Sequence, residues 1–214
     1  MTCGQSLGQG QKSLQVIVND YNRRSQVVDK ETSKGWHAIL NFYGNLQDWK
    51  TAVEEAGRFH YKEAENKDKA SENKKFEKAS KGCHPHQYHI YDFAKKQFLI
   101  DLQNHQAAIY NSTDFNDLYG NIEKFCKKKR IGELTIYDTA MRLGAFLEKH
   151  KGGSFKPQMV FLHNGAMEGA KKLFRRGKIA KPSSRMLPSV FTKCFSNKEA
   201  WEVEEILCIY KDNF

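Results

Sequence analysis

Four consecutive basic residues could bind phosphate groups: Lys127, Lys128, Lys129 and Arg130. We expect a helix to end at these residues and a second helix to begin at Thr135, with a tight turn containing Gly132 between them. Such a turn would present basic side chains, backbone N–H groups and a positive helix N-terminus together. That arrangement binds a nucleic-acid backbone without reading its bases. The sequence therefore predicts a phosphate contact here.

The positive charge is concentrated in one third of the chain. The protein has 214 residues and a formal net charge of +10. Residues 121–193 contain 17 Lys and Arg against 5 Asp and Glu, a balance of +12, whereas the other residues contain 18 against 20. This local excess predicts a surface that neutralises phosphates, and the alternatives are a solvated face, an anionic membrane surface or an acidic protein partner. The further predicted contacts are Lys171, Lys172, Arg175 and Arg176.

A second group of reactive side chains lies within seven residues: Cys83, His84, His86 and His89. Thiolate and imidazole groups bind zinc and other transition metals. However, no distant Cys or His pair completes a recognised spacing. The alternatives are a metal site, a loop that contacts a phosphate or nucleobase, and an ordinary polar turn. We predict no metal site and no cofactor.

Aromatic residues are dense between Trp36 and Trp49. Aromatic rings stack on bases that are extruded from a duplex or unpaired, so this stretch could line a base pocket. Packing in the protein core is the alternative.

Helical periodicity positions most of these residues, whereas strand-like alternation is sparse. Apolar residues recur at helical spacing in residues 46–59, 93–109, 115–125, 136–147, 166–173 and 200–210. Residues 14–28 fit either a helix or a strand. Small residues such as Gly169 and Ala170 predict close approach to a neighbouring helix. The predicted helix starts are Asn45, Thr113, Thr135, Asn164 and Ser196.

Residues 127–170 resemble the helix-hairpin-helix DNA glycosylases of the endonuclease III type. That family carries a hairpin L-P-G-V-G-x-x-T-A, a helix, and then a proline and a short apolar run that leads to a catalytic Asp. In this chain Ile131-Gly132 matches the end of the hairpin and Thr139-Ala140 matches the Thr-Ala pair. Pro157 with Val160-Phe161-Leu162 matches the approach to the catalytic position, which falls at His163 or Asn164.

The chain departs from the family pattern where the chemistry would occur. The Leu-Pro-Gly opening is missing, and no Asp heads the helix after His163. Asp138 stands where bifunctional members carry a nucleophilic Lys, so a Schiff-base lyase reaction at that position is not supported. Hydrolysis of an N-glycosidic bond needs an acid that stabilises the oxocarbenium ion or activates water. We predict Asp138 for this role and His163 as a proton carrier. The alternatives are a helix cap paired with Arg142 and a helix-entry or core histidine.

The resemblance implies a DNA-binding protein, on duplex or single strands, that excises a modified or damaged base. The first alternative is a non-enzymatic helical module that binds nucleic acid or a partner, which the missing Asp favours. The second is a metal-dependent hydrolase that uses the residues 83–89. The base-pocket candidates are Trp36, Trp49, Tyr137, Asn164, His84 and His86.

The predicted fold is mostly α, a compact multi-helix domain with a helix-hairpin-helix-like element. It covers residues 1–214 as one domain or as two helical lobes, 1–110 and 111–214, with 61–82 as a charged helix extension or a mobile excursion. No apolar run reaches the roughly 18 residues that a membrane-spanning helix needs. The absence of a signal-peptide pattern and the scattered, odd number of cysteines favour the cytoplasm. The chain contains none of the sequence patterns of P-loop or dinucleotide binding, of zincin metalloproteases, or of the nucleophile elbow of α/β-hydrolases.

Overall fold

The computed structural model describes residues 12–26, 36–60, 90–128 and 130–214. Within them the chain forms helices and one short antiparallel sheet, in which Val160 of β1 (Val160–Phe161) pairs with Met186 of β2 (Arg185–Met186). The mostly helical fold is confirmed. None of the described helices is both long enough and apolar enough to cross a membrane. The helices are α1 Leu14–Gln26, α2 Trp36–Gly44, α3 Trp49–Gly57, α4 Asp92–Asn104, α5 Gln106–Tyr110, α6 Phe115–Cys126, α7 Glu133–Lys151, α8 Asn164–Arg175 and α9 Ala200–Ile209.

The chain divides into two compact units. Unit 1 comprises residues 1–28 and 157–214, and unit 2 comprises residues 29–156. This division differs from the predicted lobes 1–110 and 111–214 because α1 packs with the C-terminal elements, whereas α6 and α7 pack with α2, α3 and α4. The Tyr21 hydroxyl donates a hydrogen bond to Glu205, and the backbone N–H of Lys12 donates to the carbonyl of Asn213. The segments 61–82 and 83–89 lie outside the described residues, as does Lys129.

Unit 2 is built around α7. Every residue from Thr135 to Gly144 is buried, because α2, α3 and α6 pack against this helix. A helix that is buried on all sides contains few polar residues, and the polar groups that it has must form their hydrogen bonds inside the protein. Gly144 allows a close contact, since a Cβ there would lie 2.6 Å from the carbonyl oxygen of Phe155. This contact holds the chain segment after α7 against the helix.

The predicted start of α7 at Thr135 is wrong. The helix begins at Glu133 with Gly132 as its N-cap, and Thr135 already lies in the first turn, where its N–H bonds to the Gly132 carbonyl. The Thr135–Asp138 spacing therefore marks no capping box. Both side chains belong to the buried interior of the helix.

The other helix starts differ from prediction by one to three residues. Carboxylates cap α3 and α6, since Asp48 accepts the N–H of Thr51 at 2.8 Å and Asp114 accepts that of Asp117 at 2.9 Å. These aspartates are the N-caps of α3 and α6, whereas Asn45 and Thr113 had been predicted. At α9, Glu199 and Glu202 form the capping box, in place of Ser196. At α8, His163 occupies the N-cap and Asn164 is the first helical residue.

Unit 1 is built around α9, in which every residue from Ala200 to Leu207 is buried. Helix α8 packs closely against it through glycines. A Cβ on Gly169 would overlap the backbone oxygen of Leu207, and one on Gly165 would lie 2.7 Å from the Cys208 Sγ. The close approach predicted from the small residues of α8 is confirmed. The segment 14–28, which fitted helix or strand, contains α1.

Candidate nucleic-acid interface

The predicted phosphate-binding turn joins α6 to α7 in unit 2. Helix α6 ends at Cys126 rather than continuing through Arg130, which has a left-handed backbone with φ of 81°. Cys126 and Ile131 are buried on either side of the turn, and the N–H of Ile131 donates to the Lys128 carbonyl at 2.9 Å. Burial raises the pKa of the Cys126 thiol to about 12, so this side chain is an uncharged anchor. The turn is therefore fixed at both ends, and Lys127, Lys128 and Arg130 are exposed on it.

The basic residues of the turn differ in their availability. Lys127 donates to Glu123 at 2.7 Å and lies 3.7 Å from Glu133, and the hydrogen bond to Glu123 raises the pKa of the lysine. Lys127 is thus already partly neutralised. Lys128 and Arg130 are exposed, and neither has a carboxylate partner within the part of the chain that the structure describes. These two cations carry the charge that is available to an anion.

Arg130 lies over two exposed aromatic rings. Its guanidinium carbon is 4.4 Å from the ring centre of Tyr91 and 5.6 Å from that of Phe93. The two rings are 57% and 61% exposed, with centroids 5.9 Å apart. Phe93 was expected in an apolar helical pattern, and the sequence did not predict this cluster. The buried face of α4 contains Ala94, Phe98 and Leu102, and a helical projection from these residues would have placed Phe93 outside that face.

A second set of predicted contacts lies on α8 in unit 1. Lys171 and Arg175 are exposed, and neither has a carboxylate partner among the described residues. Lys172 instead donates to the carbonyl of Lys211 at 2.7 Å and lies 3.5 Å from Asp212. Arg176 is half-buried and follows the last residue of the helix. The cations available on α8 are therefore Lys171 and Arg175.

Asp138, the predicted catalytic acid, is completely buried in α7. Arg142 is also completely buried and lies four residues later, which places both charges on one face of the helix. The guanidinium carbon of Arg142 lies 5.8 Å from the Trp36 ring centre. Charges in a protein interior are tolerated when hydrogen bonds and opposite charges compensate their lost hydration. The burial of Asp138 on the same helix face as Arg142 therefore fits a structural role, in which the two opposite charges compensate each other inside the protein.

His163, the predicted proton carrier, is half-buried at the N-terminus of α8, and its ring centre is 6.0 Å from that of Phe161. Its carbonyl accepts the N–H of Met167 at 2.8 Å, which starts the helix. His163 belongs to unit 1 and Asp138 to unit 2. Neither unit by itself therefore contains both side chains.

Two of the base-pocket candidates are core residues instead. Trp36 and Tyr137 are buried, and Trp49 is half-buried with its Nε1–H donating to the carbonyl of Gln106 at 3.2 Å. Unit 2 has a groove of about 410 Å³ between α2 and α7, and none of these aromatic residues lines it. Asn164 is exposed at the start of α8. His84 and His86 lie outside the described residues.

The described residues contain no group of three or more His, Cys, Asp or Glu side chains positioned to hold a metal ion. The residues 83–89, which carry the alternative metal site, are not among them. No protein-family model matches the chain, and neither does any curated protein or any solved structure.

Proposed function

We propose that this chain is a DNA-binding helical protein whose unit 2 contacts phosphate groups through the α6–α7 turn. One observation supports the proposal most strongly. Lys128 and Arg130 are exposed without carboxylate partners in the described ranges, on a turn anchored by buried residues at both ends. An anchored pair of cations loses little conformational freedom when it binds a phosphate backbone.

The charge pattern of the turn favours an anionic ligand over a merely solvated face. Solvated basic helices typically carry acidic residues three or four positions away, as Glu123 does for Lys127. Lys128 has no acidic residue three or four positions away, and Arg130 forms no ion pair with Glu133, three positions later, among the described residues. The N-terminus of α7 adds backbone N–H groups beside them, because its N-cap Gly132 has no side chain to accept their hydrogen bonds.

Salt-dependent binding tests the proposal. Binding of fluorescein-labelled DNA, followed by anisotropy over a series of salt concentrations, should weaken steeply as the salt concentration rises. In the double variant Lys128→Ala/Arg130→Ala, the slope of log affinity against log salt should decrease by about 2, because two phosphate contacts release fewer counterions. Lys171→Ala/Arg175→Ala tests in the same way whether α8 of unit 1 also contacts the DNA.

The matched control is Lys50→Ala/Lys149→Ala, which removes two exposed lysines from α3 and α7 and the same net charge. If this control weakens binding as much as Lys128→Ala/Arg130→Ala does, the turn is not a specific contact. If the wild-type protein binds neither duplex nor single-stranded DNA, the proposed function is wrong.

Base excision stays a prediction, and the burial of Asp138 supports the non-enzymatic alternative. The enzymatic hypothesis requires that Asp138→Asn abolish the release of a modified base while DNA binding is retained. Chromatography of released bases measures this, with circular dichroism as the check that the variant is folded. Undiminished release by the variant would remove Asp138 from the mechanism.

A further inference from the structure

We propose that Tyr91 and Phe93 form a platform on which an unpaired nucleobase stacks, so that the α6–α7 turn binds a single strand rather than a closed duplex. The inference rests on the proposed function and specifies its ligand. It assigns the base contact to residues at the start of α4. Two of the base-pocket aromatics expected from the sequence, Trp36 and Tyr137, are instead buried in the core.

The exposure of the two rings is fixed by the helix that carries them. Ile90 and Ala94 are buried on either side of the pair, and Tyr91 is the N-cap of α4, whose carbonyl accepts the N–H of Ala94 at 2.9 Å. Anchors on both sides prevent either ring from turning into the core without loss of packing. The two rings are adjacent and each is more than half exposed, so together they form a contiguous exposed aromatic patch, a feature that marks binding sites.

The cation beside the rings favours a nucleotide as the ligand. The Arg130 guanidinium lies over both rings, and a guanidinium binds phosphate oxygens with two parallel hydrogen bonds. Exposed Lys128 lies two residues away in the same turn. A nucleotide has a planar base for the rings and a phosphate for the cations, whereas an acidic side chain supplies only the negative charge. The combination of stacking rings and a basic track is how proteins bind single strands without sequence preference.

The left-handed backbone of Arg130 is consistent with a binding role. A non-glycine residue with φ of 81° is less stable than one with an ordinary backbone. The strained turn holds the guanidinium over the rings, where a cation–π contact at an exposed site offsets part of that cost. Arg130 therefore connects the phosphate contact to the stacking surface.

The test compares two substitutions at Phe93. Phe93→Leu keeps an apolar side chain and removes the π face, whereas Phe93→Tyr keeps the ring. We expect Phe93→Leu to weaken binding of a labelled oligothymidylate about tenfold and Phe93→Tyr to bind it like the wild type. Neither variant should change binding of a duplex or of an abasic oligomer of the same length, because those ligands offer no free base. The slope of log affinity against log salt concentration should stay unchanged in both variants, since no phosphate contact is lost.

Each outcome decides between the hypotheses. If Phe93→Leu and the wild type bind oligothymidylate equally while the wild type does bind DNA, the stacking platform is wrong and the proposed function stands. If the wild type binds neither oligothymidylate nor duplex, both are wrong. If Phe93→Leu instead weakens binding of polyglutamate as much as that of oligothymidylate, the surface recognises acidic protein and the inference fails.

Discussion

Tyr21 connects α1 to the central helix of unit 1 through a buried hydrogen bond. Its hydroxyl donates to the Glu205 carboxylate at 2.7 Å, and both side chains are buried. Burial raises the pKa of Tyr21 above its ordinary value, and the negative charge of Glu205 raises it further. The folded state therefore holds the tyrosine proton more tightly than the unfolded chain does.

This shift predicts a specific loss of stability at high pH. The contribution of Tyr21 is complete below the ordinary tyrosine pKa of about 10 and is lost as the pH rises above it. In that range the free energy of unfolding should fall by up to about 1.4 kcal/mol per pH unit. In Tyr21→Phe the part of this dependence that comes from Tyr21 should disappear, whereas the part that comes from the buried Cys126 thiol should remain. The variant should also be less stable by about 1–2 kcal/mol at neutral pH. Urea denaturation between neutral and alkaline pH, followed by circular dichroism, measures both effects.

Tyr91→Phe is the control, because it removes a hydroxyl from an exposed ring. It should leave the unfolding free energy unchanged at neutral pH. If Tyr21→Phe and the wild type lose stability in parallel as the pH rises, the Tyr21–Glu205 pair is not the cause.

At the residue scale, the sequence predicted which charged residues are exposed better than it predicted whether an aromatic residue is buried or exposed. The available cations Lys128 and Arg130 could be named from a run of basic residues, because such a run seldom becomes buried. Aromatic residues gave no such guide, since the same ring fills a core or lines a binding surface. Trp36 was expected at a pocket and lies in the core, whereas Phe93 was expected in a helical pattern and its ring is exposed.

At the element scale, the α8–α9 pair shows how small residues set the distance between helices. Gly169 faces the Leu207 backbone so closely that an added Cβ would overlap it. Because the obstacle is backbone, it moves only if the whole of α9 shifts. Overpacking of this kind is destabilising even though alanine favours helix formation.

Two glycine substitutions test this packing. Gly169→Ala should lower the free energy of unfolding by about 1–3 kcal/mol, because α8 and α9 must separate. Gly120→Ala in α6 is the control, since a Cβ there meets nothing within 4 Å, and this variant should be more stable by about 0.5–1 kcal/mol. Urea denaturation of the three proteins gives the comparison. Similar stabilisation by both substitutions would show that the α8–α9 contact is looser than described.

Local patterns predicted where most helices lie and did not predict their ends. Helices α3, α6, α8 and α9 overlap the apolar periodic runs, but α2 has apolar residues on nearly all sides and lacks the alternation with polar residues that marks a surface helix. Caps were misplaced because Ser, Thr, Asn and Asp all cap helices. At α3 and α6 the N-cap is an aspartate, Asp48 or Asp114, that follows the predicted cap by three positions or by one.

At the scale of the whole molecule, contiguous charge did not correspond to one structural unit. The basic segment 121–193 crosses from unit 2 to unit 1 at Pro157. Its first part, 121–156, contains 9 basic and 4 acidic residues, and its second part, 157–193, contains 8 basic and 1 acidic. The pairing of α1 with α9 was also beyond prediction, because residues 184 positions apart leave no local pattern.

Unit 1 is formed by two segments, residues 1–28 and 157–214, that are separated in the sequence by unit 2. The entropy cost of bringing these segments together therefore depends on whether unit 2 is folded. A flexible loop between Tyr21 and Glu205 would cost roughly 4–5 kcal/mol of chain entropy to close. Folding of unit 2 lowers that cost, because Trp36 and Phe155 lie against the same turn of α7: Trp36 lies near Arg142, and Phe155 contacts Gly144. Once unit 2 has folded, the Tyr21–Glu205 contact therefore closes an effectively much shorter loop, and the two halves of unit 1 come together as if they belonged to a much shorter chain.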